Sequence, residues 1–210
     1  MTSTASPPPL LVPTALAFIA GYADAVTFVG ARGIFCAHVT GNFVVLAADL
    51  ARHANADEWL KLATFPIFVL AVFLSTHLHR RVGQSARLLL LLQAMAFGAA
   101  AAVPWALTGN TAHWVVVVLA VVAMGMQNAM HRVAPALGPM TTVMTGNVTQ
   151  WFVEKVLPGA PENVTKHRSL GLIILAFALG CLGGAFGVQH FGFAAFLAPM
   201  GLSLLVRSRL

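Results

Sequence analysis

The sequence predicts an all-α integral membrane protein of two tandem repeats, with six spanning helices and two broken or re-entrant segments. Only 9% of its 210 residues are charged, whereas a soluble domain carries about 25%. Three uncharged runs, 62–78, 88–130 and 169–206, are long enough for one or two helical passages each, because a passage needs roughly 17–25 residues. In addition, the motif Thr-Gly-Asn occurs in two apolar stretches, at 40–42 and at 145–147.

The two copies of this motif belong to a longer internal repeat. They are offset by 105 residues, and at the same offset Asp49 falls on Glu154. Upstream, with one inserted residue, the stretch 21–25 (GYADA) falls on 125–129 (GMQNA). Because 105 is half of the 210 residues, the chain reads as one membrane unit present twice. A third Thr-Gly-Asn, at 108–110, lacks these neighbours and is typical of a turn.

The predicted organisation is a tail followed by one membrane domain. Residues 1–12, with three consecutive prolines, are predicted to be a flexible Pro-rich tail. Residues 13–210 form the membrane domain, with repeat one at 13–107 and repeat two at 112–206. Each repeat has four segments: a first helix (13–30; 112–131), a Thr-Gly-Asn segment (34–52; 140–157), a third segment (61–79; 168–188) and a fourth (87–106; 191–206).

The number of spans depends on whether the Thr-Gly-Asn segments cross the membrane. If they cross, there are eight spans and the repeats are parallel. If they enter and leave on one side, there are six spans and the repeats are inverted. Positively charged residues collect on the cytoplasmic face. Eight spans divide the 12 Lys and Arg seven to five. Six spans divide them nine to three, so six spans with both termini cytoplasmic are favoured. The nine are Arg80, Arg81, Arg87, Arg132, Lys155, Lys166, Arg168, Arg207 and Arg209.

The paired motifs resemble those of a known family. "GYADAVTF" followed by "AHVTGN", and "MGMQNA" followed by "TTVMTGN", are similar to the YoaK-like family of bacterial inner-membrane proteins of unknown function. The resemblance covers residues 13–206. It implies a multi-pass fold in the bacterial inner (plasma) membrane, and it implies no substrate or reaction.

The candidate binding site is built from both motifs and the first helix of each repeat. The motif glycines can loosen a helix, and the threonines can cap the restarting helix. Broken helices of this kind bind substrates in transporters with internal repeats, although small residues also serve simply to pack helices. Asp24, with no cation within a turn, is a functional candidate because an isolated carboxylate in a membrane is costly. The predicted substrate-binding residues are Thr40, Gly41, Asn42, Thr145, Gly146, Asn147, Asp24, Asn128 and Gln127.

The remaining charged residues have structural interpretations. Asp49 with Arg52 and Glu154 with Lys155 are expected as ion pairs at the membrane surface. Two acid–base pairs with i,i+4 spacing, Asp57–Lys61 and Glu162–Lys166, support the starts of the third segments.

The glycines 180, 183, 184 and 187 include two GxxxG spacings. They predict a tight helix pair and a possible homo-oligomer.

These features favour a transporter or channel for a small solute or ion, with its site at the interface of the repeats. The alternative is a membrane scaffold or assembly factor that transports nothing. No spacing brings an acid, a base and a nucleophile together, so an enzyme is not expected, and neither is a metal or cofactor. The positive charges are scattered between apolar runs, which argues against a nucleic-acid partner.

Overall fold

The computed structural model describes residues 10–52, 59–83, 86–157 and 163–210. Within these ranges the chain is helical and has no strand, which confirms the all-α prediction for the described chain. The α-helices are α1 Leu11–Gly30, α2 Gly41–Ala51, α3 Trp59–Val82, α4 Ala86–Ala106, α5 Gly109–Val133, α6 Met144–Val156, α7 Asn163–Phe191 and α8 Leu197–Arg209. Two 3-10 helices, Pro135–Leu137 and Gly192–Phe196, lie between α5 and α6 and between α7 and α8.

Five helical stretches of the described chain are long and apolar enough to cross a membrane. They are α1, α3, α4, α5 and the continuous stretch Ser169–Arg209, which contains most of α7 and all of α8. The helices of the two Thr-Gly-Asn segments are shorter. At 1.5 Å per residue, the 11 residues of α2 and the 13 of α6 extend about 16 and 20 Å. A hydrocarbon core is about 30 Å thick, so each of these two helices is shorter than a full crossing.

Two helix starts differ from the predicted bounds. The first helix begins at Leu11 rather than at Pro13, because proline is tolerated within a first helical turn. The predicted helix 191–206 is instead a 3-10 helix followed by α8, after Gly192 takes a positive φ of 56°. Residues 1–9 of the predicted tail lie outside the described residues.

The helices α1 and α7 pack backbone against backbone. A Cβ atom built on Gly184 would overlap the carbonyl oxygen of Tyr22, and one built on Gly180 would overlap that of Phe18. The two backbones therefore touch directly, as small residues allow between membrane helices. Phe18 lies beside Gly180 and Gly30 lies beside Val188, so residue numbers rise together and the two helices are parallel.

This contact confirms the tight helix pair that the GxxxG spacings predict. The partner of α7 is α1 of the same chain. Gly183 and Gly187 also face α1, each against the ring of Tyr22. The homo-oligomer stays a prediction, and a second copy would need a different face.

The other half of the chain contains a related contact. A Cβ atom built on Gly125 of α5 would lie 2.7 Å from Cβ of Ala71 and 3.3 Å from the carbonyl oxygen of Phe68, both on α3. Its sequence counterpart, Gly21 of α1, faces the carbonyl oxygen of Phe177 on α7. The first helix of each half thus packs against the third helix of the other half.

Two hydrogen bonds fix the relative direction of α1 and α5. Gln127, near the end of α5, donates to the carbonyl of Leu16, near the start of α1, at 2.8 Å. Arg32, just after α1, donates to the side-chain oxygen of Asn110, at the start of α5, at 2.6 Å. The two helices are therefore antiparallel.

The end of α1 and the start of α3 lie at the same end of the helix bundle. Ala31 and Ile34, just after α1, line a small cavity together with Lys61 at the start of α3. The same cavity is lined by Asn110 and His113 at the start of α5. The segment that contains α2 therefore does not pass to the opposite end.

The α1–α7 contact predicts that Gly184→Ala lowers stability. The added methyl group must displace the backbone of α1, and overpacking of this kind costs about 1–3 kcal/mol. We expect a lower midpoint of thermal unfolding in detergent, measured by circular dichroism. Gly201→Ala on α8 is the matched control, because no atom lies within 4 Å of a Cβ atom built there. Equal midpoints for the two variants would contradict the contact.

Candidate functional site

A cleft of about 670 Å³ lies beside the α1–α7 contact. It is bounded by α1, α7, the linker of residues 31–40 and the first turns of α2 and α6. Gly41 of the first Thr-Gly-Asn motif and Thr145 of the second both line it. The lining residues are Asp24, Ala25, Phe28, Val29, Phe35, His38, Gly41, Met144, Thr145, Phe177, Cys181, Leu182 and Ala185.

The side chain of Asp24 is held by the linker. Asp24 is 3% exposed, and its Oδ1 accepts a hydrogen bond from the backbone N–H of Ala37 at 2.6 Å. Its Oδ2 pairs with Nδ1 of His38. Asp24 has no Lys or Arg within a helical turn along the sequence, but the linker supplies an imidazole, which carries a positive charge when protonated, from 14 residues away. This pairing lowers the cost of a carboxylate at this depth.

The imidazole of His38 lines the cleft beside Asp24. Its ring stands edge-on to Phe177, with 5.6 Å between the ring centroids. Nδ1 is occupied by Asp24, and no hydrogen bond from the described residues reaches Nε2 of this half-exposed ring. Asp24 and His38 therefore form a pair that can gain or lose one proton at the cleft surface.

Asn42 fixes the linker that carries His38. Its side-chain oxygen accepts the N–H of Phe35 at 2.8 Å, and its amide donates to the carbonyl of Phe35 at 2.8 Å. The same amide donates to Oγ1 of Thr64 on α3 at 2.9 Å. Asn42 is fully buried, so one side chain ties the linker, α2 and α3 together.

The predicted capping by the motif threonines is wrong. Thr40 precedes α2 but makes no side-chain capping bond, and Thr145 lies inside α6, which Val143 precedes. The first three N–H groups of α2 are instead bonded to the carbonyls of His38, Val39 and Thr40. A preceding tight turn therefore does what a cap would do.

The second motif repeats this arrangement without charge. Asn147 donates to the carbonyl of Met140 at 2.8 Å, seven residues back, as Asn42 does to Phe35. Asn128, the counterpart of Asp24, accepts a hydrogen bond from Thr142, 14 residues on. The same spacing joins Asp24 to His38. The two halves thus share the same pattern of hydrogen bonds. The bonded pair in the first half is ionisable, and the corresponding pair in the second half is neutral.

The structure brings three of the predicted site residues into the cleft lining: Asp24, Gly41 and Thr145. Gln127 lies elsewhere, fully buried, where it donates to Thr141 at 2.9 Å and accepts from Gln93 at 2.8 Å. The remaining five do not line the cleft: Thr40, Asn42, Gly146, Asn147 and Asn128.

The charged residues outside the cleft take different partners from those expected. Asp49 pairs with Lys61 of α3, whose side chain is only 4% exposed. Glu154 accepts a hydrogen bond from Gln150 at 2.8 Å, and the ammonium of Lys155 lies 5.7 Å from the ring centroid of Trp151. The expected i,i+4 pairs fall at Asp57 and Glu162, which are outside the described residues.

Most of the residues that line the cleft were not predicted from the sequence. Phe28, Phe35 and Phe177 line the cleft, but phenylalanine is ordinary in an apolar segment and does not mark a site. His38 lies two residues before Thr40, and that position next to the motif was the available signal. Over the described part of the chain, no cluster of three or more His, Cys, Asp or Glu could hold a metal ion.

The long apolar helices are those of a multi-pass helical membrane protein. A family model described as "Protein of unknown function (DUF1275)" matches residues 12–207. The chain therefore belongs to this family of unknown function. No curated protein and no solved structure matches it.

The Asn42 bonds predict that Asn42→Ala destabilises the fold more than Asn147→Ala. Removing the amide leaves buried polar atoms of the linker unpaired, at about 1–3 kcal/mol for each group. Asn42 makes three bonds to Phe35 and Thr64, and Asn147 makes one to Met140. Thermal unfolding of both variants in detergent measures the difference. A larger loss for Asn147→Ala would contradict the assignment.

Proposed function

We propose that this chain is a membrane transporter or channel that moves a small solute or ion through the cleft. The observation that carries the proposal is the composition of the cleft wall. Gly41 comes from one Thr-Gly-Asn motif and Thr145 from the other, and the Asp24–His38 pair lines the same cleft. Non-helical backbone at membrane depth is tolerated where it is buried in protein or lines a cavity, and the linker does line one.

We further propose that the two halves are inverted repeats with six spans. The antiparallel arrangement of α1 and α5 supports this, because equivalent first helices would be parallel in an eight-span protein. The six-span arrangement is also supported by the position of the end of α1 and the start of α3 at the same end of the helix bundle. In this arrangement α2 and α6 enter from opposite sides, and their first turns meet at the cleft, as broken helices do in transporters with inverted repeats.

We place the protein in the bacterial inner membrane with both termini cytoplasmic. Six spans put nine of the 12 Lys and Arg on the face that holds the C-terminus. The resemblance of the paired motifs to YoaK-like proteins supports the same location. We also infer that the cleft moves its ligand without transforming it, because no hydroxyl or thiol among the described residues hydrogen-bonds His38 as a nucleophile would.

The six-span arrangement predicts which loops share a side. Single cysteines replace Val82, Thr108 or Ser208, all exposed, in a background that lacks Cys36 and Cys181. An impermeant thiol reagent should label the cysteine at position 108 in intact cells and should leave those at 82 and 208 protected until the membrane is opened. With eight spans, 108 and 208 would share a face and 82 would lie on the other, which would overturn the inverted repeat.

The native cysteines provide a test of transport through the cleft. Cys181 lines the cleft and Cys36 is fully buried. In Cys36→Ala protein in liposomes, N-ethylmaleimide should reduce the flux of the transported solute at least about tenfold, by filling the cleft.

The solute for this test is found from a panel of ions, amino acids, aromatic acids and organic amines. The double variant Cys36→Ala, Cys181→Ala is the matched control and should keep its flux after the same treatment. Undiminished flux of the Cys36→Ala protein after full labelling of Cys181 would show that the cleft is not the path. A folded protein that moves no member of the panel would favour the scaffold.

A further inference from the structure

We propose that the cleft binds a lipophilic organic cation, admitted sideways from the bilayer, in exchange for the proton held by Asp24 and His38. This inference rests on the proposed function and adds to it a substrate class and a coupling ion.

The walls of the cleft suit an apolar body with a positive charge. The rings of Phe28, Phe35 and Phe177 line it together with the flexible thioether of Met144. Aromatic faces attract cations through the ring quadrupole, more strongly where water is excluded. A volume of about 670 Å³ lies within the range of pockets that hold drug-sized molecules. A bare metal ion would leave most of this apolar wall unused.

The charge of the cleft is set by one ionisable pair. The described residues that line the cleft include no Lys, Arg or Glu, and Asp24 and His38 are its one carboxyl group and its one imidazole. The neighbouring titratable groups are the thiols of Cys36 and Cys181 and the phenol of Tyr22, which are ordinarily neutral at pH 7. With His38 neutral the pair carries one negative charge. With His38 protonated it carries none.

Two positive helix ends, the starts of α2 and α6, lie at the cleft. The start of α2 lies at the cleft, but its first three N–H groups already bond the carbonyls of residues 38–40. They are therefore not free to bind an anion. A bound monovalent cation neutralises the unprotonated pair, and protonation of His38 removes that attraction. One proton is thus released for each cation bound, and charge is conserved.

The side of the cleft is open to the outside of the helix bundle. Phe28 of α1 and Leu182 of α7 line the cleft and are 41% and 56% exposed. Apolar side chains exposed on a spanning helix face lipid tails, so a lipophilic cation can reach Asp24 and His38 from within the bilayer.

Binding of two ions of equal size tests this assignment. Tetraphenylphosphonium is a cation and tetraphenylborate is an anion of nearly the same shape. Isothermal titration calorimetry on the purified full-length protein in detergent compares them at about pH 8 and about pH 5.5, above and below the ordinary titration of histidine. We expect the cation to bind at least about tenfold more tightly at the higher pH, a difference of about 1.4 kcal/mol. The anion should bind at least about tenfold more weakly than the cation at the higher pH.

Three variants separate the role of the pair from general effects on folding. Asp24→Asn should lose cation binding at both pH values. His38→Gln should keep cation binding at the higher pH and lose the part of the pH dependence that comes from the imidazole. Glu154→Gln is the matched control, since this acid on α6 does not line the cleft, and it should behave like the native protein. If Asp24→Asn does not fold, the pH response of His38→Gln still decides the matter.

The outcomes are distinguishable. Equal binding of both tetraphenyl ions, or cation binding that ignores pH in the native protein, would overturn the inference. Flux of an anion without any binding of tetraphenylphosphonium would also overturn it, and would leave the proposed transport function standing. Cation binding as expected, with no flux of any solute in liposomes, would support the ligand class and refute transport.

Discussion

Direct backbone packing between α1 and α7 is the constraint on which the rest of the structure depends. Gly180 and Gly184 let the carbonyls of α1 approach so closely that no Cβ atom fits between the helices. Membrane helices gain little hydrophobic energy from association, so this close contact supplies packing energy that larger side chains would prevent. It also fixes the rotation of α1, which directs Tyr22 at α7 and presents Asp24 to the cleft.

The cleft depends on a second constraint, the satisfaction of polar groups in the linker of residues 31–40. A non-helical backbone has free N–H and C=O groups, and leaving them unpaired away from water costs several kcal/mol. Asp24 binds the N–H of Ala37, and Asn42 binds both backbone groups of Phe35. The same bonds bring His38 to Asp24. One set of contacts therefore both pairs the polar backbone groups of the linker and forms the candidate functional pair.

The two halves differ in charge more than in geometry. Asn147 repeats the seven-residue bond of Asn42, and Asn128 with Thr142 repeats the 14-residue spacing of Asp24 with His38. The second pair is neutral, so it can hold its segment without titrating. If the halves derive from one unit, the first has gained or the second has lost the ionisable pair. As a consequence, the pair of side chains that can exchange a proton comes from the first half of the chain, and the matching pair of the second half is neutral.

The sequence by itself determined the helical class and the helix positions to within a few residues. It also identified the two Thr-Gly-Asn motifs. Hydropathy and local spacing are properties of short segments, so they can be read without the tertiary structure. The sequence also singled out Asp24, since a lone acid in an apolar run is conspicuous. Only the tertiary structure decided that His38 is its partner, that Lys61 pairs with Asp49 across two helices, and that Phe28, Phe35 and Phe177 share one wall. These contacts join residues from separate segments. They depend on how α1 and α7 pack and how the linker folds back, which no local pattern encodes.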